Sequence, residues 1–418
     1  MIMFTSFTWI IVAAILLNFL FEAVPNFLNI KHSTGKIPNS LQGIYDETEY
    51  QKQQNYLKTN QKFDICVLLA TVVVNLAFLV FGGFAYINTI ALTLFNSEIL
   101  ASLFFFGVVF VLDKIVSIPF EIYETFVIEE KFGFSTTTKR TFVLDEIKSF
   151  LLVALFGGLL LTLFELFFLY TPALFWVFSC LTFIVILLFA NAFFSTLFVP
   201  LFYKQTPLEQ GELRDKILSF TESVGFEIDN VFTIDASKRT NKSNAYFTGF
   251  GKRKRIVLYD TMLNELTSDE IVAVLAHEIG HYKKRHIWKN FAMSIMNVSV
   301  MLFLLGFCFG NNTIANALGV ASANFHINMC GFSLLYAPLT ILIGLVTNAV
   351  SRKHEREADA FAVEHGYGTQ LIESLKKLSK KSLGNLNPHP LYVAFNYSHP
   401  TLKERIKNIQ LLEKQQNI

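Results

Sequence analysis

The chain has 418 residues, 52% hydrophobic and 15% aromatic, with 45 phenylalanines and only 16% charged residues. A soluble chain of this length would be about a quarter charged, so the composition indicates a membrane protein. The net charge of +2 and the lack of a low-complexity basic tract give nucleic acid nothing to grip. Cys66, Cys180, Cys308 and Cys330 fall in or beside apolar runs without CxxC spacing. They read as small core residues, not as a disulfide framework or a metal knuckle.

In chain order, residues 1–21 lack a basic n-region and a small-residue cleavage site, so they read as a retained span. Seven stretches are long and apolar enough to cross a bilayer as helices: 3–21, 63–87, 98–118, 150–170, 173–200, 291–310 and 328–350. Asp113, Lys114 and Glu165 lie inside these runs, where an ionisable group is expected to face a cavity, a partner or the headgroups. The connections alternate in charge. Lys31, Lys36, Lys52, Lys58 and Lys62 follow the first span, and Lys131, Lys139, Arg140 and Lys148 follow the third. Segments 88–97, 171–172 and 311–327 carry no Lys or Arg. Positive charge stays cytoplasmic, so the amino terminus is expected outside and both polar regions, 204–290 and 351–418, in the cytoplasm.

The first polar region reads as a helix over 209–224, ended by Gly225, followed by strand-like runs at 230–235, 245–250 and 255–260. Together the runs suggest a small antiparallel sheet leading into a helix that contains His277-Glu-Ile-Gly-His281. Thr267 and Glu270 give that helix a capping box. Two histidines four residues apart project from one face of a helix and reach one metal ion. Glu278 lies about 100° round the helix, within reach of a water on that ion. Zinc suits such a site, and a hydrolytic zinc wants a third protein ligand. The candidate stretch is residues 351–361, directly after the seventh span, where Glu355 and Asp359 share a helix face. One can bind the metal while the other orients a ligand histidine. His354, about 100° away, is a weaker alternative, and Glu357 falls on a solvated face.

HEIGH, SRKHEREADAFA (351–362) and NYSHPTLKERI (396–406), in this order and between these spans, resemble the type I CAAX prenyl protease family of integral-membrane zinc metallopeptidases. FVIEEKFGFS (126–135), TPLEQGELR (206–214) and SKRTNKSNAYFTGFGKRKRIVLYDT (237–261) extend the resemblance to nearly the whole chain. It implies an all-α membrane protein whose seven transmembrane helices enclose a cavity, with a cytoplasmic α+β, zincin-like protease portion. The organisation expected is spans one to five in 1–203, a catalytic segment in 204–290, spans six and seven in 291–350 and carboxy-terminal helices in 351–418.

The resemblance further implies one Zn2+ held by His277, His281 and Glu355, with Glu278 activating water and Asp359 supporting a ligand histidine. It gives His399 the tetrahedral oxyanion, with Asn244 nearby, and gives Arg405 the task of holding the site carboxylates. It also implies a peptide or protein substrate lying extended along residues 244–250, the lipid bilayer as the other partner, and no nucleic acid. The chemistry agrees: peptide hydrolysis needs a Lewis acid, a base for water and a donor for the developing oxyanion. Pro400 suits the first turn of a helix and would set His399 at a helix start. His286, His326, His365 and His389 are expected to be structural or exposed. The Phe-, Lys- and Asn-rich composition suggests a bacterial source and an inner-membrane location.

Two other readings compete. A membrane quality-control protease induced by stress shares HExxH and a distal Glu, but not the seven spans or the SNAYF and SHP segments. A transporter or a zinc-bearing scaffold would want a row of intramembrane proton carriers or a closed four-ligand site, and neither pattern is present.

Overall fold

The computed structural model describes residues 5–33, 36–228, 230–248 and 254–416. Among these, seven helices are long and apolar enough to cross a membrane: Ser6–His32, Glu47–Val80, Glu98–Phe132, Lys139–Tyr170, Pro172–Phe202, His286–Cys308 and Phe325–Glu364. Most outrun the apolar stretches that announce them. The second begins at Glu47 because Asp46 and Glu49 form a capping box, so the polar segment ahead of residue 63 is already helical. It also stops short of the expected residue 87. Gly82 takes a left-handed turn (φ 73°) that a side chain would strain, and a separate helix, Gly83–Leu94, follows. The last spanning helix, with 40 residues, is about 60 Å long, roughly twice the hydrocarbon thickness. It runs unbroken past residue 350 and carries Glu355 and Asp359 beyond the apolar stretch.

Much of the apolar surface of these helices faces outward, as segments in contact with lipid require. The buried share of their apolar windows runs from 6% in Glu47–Val80 to 28% in Ser6–His32. Apolar cavities of about 920 Å3 and 900 Å3 open beside the third and fourth spanning helices and between the fourth and fifth. One cluster joins the spans at their end away from the HEIGH helix. There Ile11, Leu79, Phe84, Phe105, Leu318 and Ile327 form one cluster with the short helix Asn312–Ala317. Two of the ionisable groups in the spans, Lys114 and Glu165, have partners. Lys114 Nζ lies 3.3 Å from Glu121 and 3.0 Å from Glu146. Glu165 is buried and accepts from Ser102 Oγ at 2.8 Å, which in turn lies 2.9 Å from His326 Nδ1. The four cysteines are free.

The polar region holds, among the described residues, a four-stranded sheet in the order β1 (Gln205–Pro207), β2 (Asn230–Ile234), β4 (Arg255–Tyr259), β3 (Ala245–Thr248). The expected antiparallel sheet is mixed: β1 with β2 and β3 with β4 are antiparallel, but β2 and β4 run parallel. The connection between β2 and β4 returns far enough to admit a parallel neighbour, and β3 is left at the edge. Its expected continuation, residues 249–250, lies outside the described residues. The membrane-side connections grip the segment leading into β3. Arg239 makes two hydrogen bonds to Asp145 (2.7 and 3.1 Å), and Lys242 pairs with Glu129 at 2.7 Å.

The HEIGH helix, Ser268–Lys283, starts on the expected Thr267–Glu270 capping box and buries Ile271, Val272, Leu275, Ala276 and Ile279 in the main core with Phe361, Ile406 and Ile409. It crosses the last spanning helix at Gly280. A Cβ there would stand 3.0 Å from Phe361 Cβ and 3.1 Å from the Ala358 backbone. Neither backbone can yield without parting the helices. Gly280→Val is therefore expected to cost about 2–3 kcal/mol, read as a lower Tm, and to reduce bound metal in the same sample. A variant that melts with the parent and keeps its metal would show slack at this crossing.

Candidate active site

Four segments converge where the HEIGH helix meets the extension of the last spanning helix. His277 Nε2 and His281 Nε2 stand 3.2 Å apart, Glu355 Oε2 is 3.3 Å from the first and Glu355 Oε1 is 3.2 Å from the second. His354, the alternative ligand, turns away with its Nδ1 buried and unpartnered. A tetrahedral ion with ligands at about 2.0–2.1 Å has edges of about 3.3–3.4 Å, so the three groups already describe one face of such a site. Glu355 Oε2 is buried without a hydrogen-bond partner. A carboxylate oxygen left so beside two imidazole nitrogens fits a cation.

The supporting groups are buried with the ligands. Asp359 Oδ1 lies 2.8 Å from His277 Nδ1, which leaves Nε2 to face the triangle. Arg405 then holds Asp359 through two hydrogen bonds, Nη2 to Oδ1 at 2.6 Å and Nε to Oδ2 at 3.0 Å. Burial and Arg405 both disfavour a charged His277, but Asp359 and Glu355 outweigh them and raise its pKa to about 9. An ion in the triangle competes with that proton. Burial also works against charge on Arg405, and Asp359 reverses this, raising its pKa further.

His399 lies across the triangle, its Nε2 3.4 Å from Glu355 Oε1 and its side chain 60% exposed. Ser398 Oγ is 2.9 Å from Nδ1; as donor to it, the hydroxyl fixes the ring proton on Nε2, the nitrogen facing the site. The final helix starts later than expected. Thr401 and Glu404 cap it and it runs Leu402–Gln416, because the hydroxyl-carboxylate box is a better start than Pro400. His399 therefore sits in the turn before the helix. Asn244 is exposed at the head of β3, where its Oδ1 accepts from the Ala245 amide; it does not join the cluster.

Glu278, His281, Glu355 and His399 line one cavity of about 540 Å3. One wall is β3, through Tyr246, Phe247 and Thr248; another is the fifth spanning helix, through Asn191 and Phe194. Phe194 opens a π-helical turn, Phe194–Phe198, a local widening common at functional sites. The sequence offers no signal for that wall, since π-turns have no residue code. His286, expected structural or exposed, and Glu357, expected solvated, meet beside the triangle. His286 is buried, 3.0 Å from His281 and 2.8 Å from Glu357. Of the other histidines, His326 meets Asn88 and Ser102, His365 lies 2.8 Å from the Phe361 carbonyl and His389 caps a short helix.

Residues 26–204 match the family described as CAAX prenyl protease N-terminal, five membrane helices, and residues 207–413 match peptidase family M48. The CAAX prenyl protease 1 of Saccharomyces cerevisiae is 36% identical, covering 93% of this chain and 91% of its own length. A homologue from Dictyostelium discoideum is 34% identical over 90% and 89%. The crystal structure of S. mikatae Ste24p superposes with a TM-score of 0.92 at 34% identity, covering 97% of this chain and 99% of that one. With a matched family across its polar half and relatives alike along almost its whole length, the chain belongs to peptidase family M48 and is an integral-membrane metalloendopeptidase.

Proposed function

We propose that this protein is a zinc endopeptidase that cleaves CAAX-type chains presented at the cytoplasmic face of its membrane. The observation that carries the proposal is the near-tetrahedral triangle of His277, His281 and Glu355, in one cavity with Glu278 and His399 and walled by an edge strand. The CAAX assignment rests on the relatives' names. The stress-protease alternative lacks that support, and a closed structural zinc site is disfavoured by a triangle that opens onto a cavity.

Zinc bound by the three ligands would supply a Lewis acid for the scissile carbonyl and for the attacking water. Glu278 takes the proton from that water and passes it to the departing amine. The Nε2–H of His399 donates to the oxyanion as it forms. Asp359 and Arg405 keep His277 turned so that Nε2 faces the ion. Asn244, at the head of β3 with its Oδ1 held by the Ala245 amide, takes no part in the oxyanion in this reading.

The edge of β3 not paired to β4 is free among the described residues, so an extended peptide adds to it as a further strand. Main-chain pairing tolerates varied side chains, as a processing enzyme requires. The lysine- and arginine-rich connections support a topology with the amino terminus outside and the catalytic cavity cytoplasmic. The bacterial inner membrane expected from composition finds no support in the relatives named above, which are eukaryotic.

Glu278→Gln is expected to retain zinc and lower kcat on a prenylated test peptide roughly 10^2–10^4-fold. Parental turnover by that variant would remove Glu278 as the base. Glu355→Ala should lower the zinc measured in the purified protein, and unchanged metal content would move the third ligand elsewhere. N-methylation of the test-peptide amides that face β3 is expected to raise KM about tenfold with a smaller change in kcat. If no methylation position matters, strand addition fails.

A further inference from the structure

One ligand imidazole, His277, has its outward nitrogen fixed by Asp359. The other, His281, is fixed by a second set of residues. The HEIGH helix ends at Lys283, and the chain reverses through Arg285 in the left-handed conformation (φ 58°), a strained position for a residue with a side chain. That turn lays His286, 1% exposed, against His281, with the two Nδ1 atoms 3.0 Å apart. The remaining nitrogen of His286, Nε2, lies 2.8 Å from Glu357 Oε2 on the last spanning helix. His354 stacks on the His286 ring, centroids 4.1 Å apart and planes 12° from parallel, and blocks its rotation. Glu357 reaches partial exposure and has Lys289 and Lys353 near it at 3.7 and 3.9 Å.

We propose that His286 and Glu357 are positioning residues that set the tautomer and orientation of the ligand His281. Proton positions along the chain of contacts leave one metal-compatible assignment. The Glu357 carboxylate only accepts, so the proton of neutral His286 sits on Nε2 and its Nδ1 is bare. A bare Nδ1 accepts the Nδ1–H of His281. His281 Nε2 then carries its lone pair toward His277 and Glu355. If His286 instead placed a hydrogen on Nδ1, His281 would have to carry its own on Nε2, where the ion binds. A surface carboxylate thus decides, through a buried ring, which nitrogen of His281 is free for metal. The arrangement parallels the part played by Asp359 but uses an imidazole as intermediary, which also raises the electron density of the ligand ring.

This inference rests on His281 being a metal ligand, and the test separates the two claims. Zinc affinity of the detergent-purified full chain is measured by chelator competition, and the Co2+-substituted protein by its d–d absorption. His281→Ala is the control for the site itself; if it binds zinc as the parent does, the ligand assignment fails first. His286→Phe keeps a ring against His354 and removes the acceptor, and should weaken zinc binding about 10–100-fold and shift the cobalt bands. His286→Asn places an amide oxygen where Nδ1 stood, and should recover most of the affinity. Glu357→Ala should weaken binding by a smaller factor. Parental affinity and spectrum in His286→Phe, or a His286→Asn variant as weak as His286→Phe, would overturn the proposal. Should His286→Phe not fold, the other two decide: parental binding by Glu357→Ala together with lost binding by His286→Asn overturns it.

Discussion

The site depends on one close approach between helices. His277 and His281 lie on a helix of the polar region, and Glu355 lies on the extension of a spanning helix that begins 30 residues earlier at Phe325. Their ligand atoms come within 3.3 Å only because Gly280 presents no side chain at the crossing, where the Ala358 backbone fills the space a Cβ would take. An interior packed at crystal density passes a displacement of one helix to its neighbour. The triangle of His277, His281 and Glu355 is thus a readout of the crossing distance.

Around that crossing the molecule spends buried charge on orientation. Arg405 and Asp359 are both buried and joined by two hydrogen bonds, an arrangement that contributes little net stability but leaves a large penalty if either partner is removed. What it secures is direction: Asp359 faces His277 Nδ1 and cannot turn away without stranding the guanidinium. On the other side, His286 and Glu357 hold His281 with a chain of contacts ending near solvent. Two rings that must aim at one point are thus anchored independently, from the final helix and from the turn after the HEIGH helix.

The membrane part serves the site in two ways. It supplies helices long enough to leave the bilayer and carry Glu355 and Asp359 to the candidate site, as in the 40 residues of Phe325–Glu364. It also forms a wall: the π-helical turn at Phe194 brings the fifth spanning helix beside Glu278 and His399 opposite β3. Apolar cavities lie along the third, fourth and fifth spanning helices.

Local chemistry in the sequence determined a good deal. Long apolar runs have no alternative to spanning helices, because unsatisfied backbone groups are too costly in hydrocarbon. The four-residue spacing of His277 and His281 fixes a shared helix face, and the Thr267–Glu270 box fixes where that helix begins. The Glu355–Asp359 pair is legible for the same reason, since both lie on one turn of one helix. What tertiary structure alone decided is whatever depends on a second element. The parallel pairing of β2 with β4, the break at Gly82, the wall at Phe194 and the contact of His286 with His281 across a left-handed turn belong to this class. Periodicity tells which residues share a face; it carries no information about which face meets which, because that is set by packing between segments far apart in the chain.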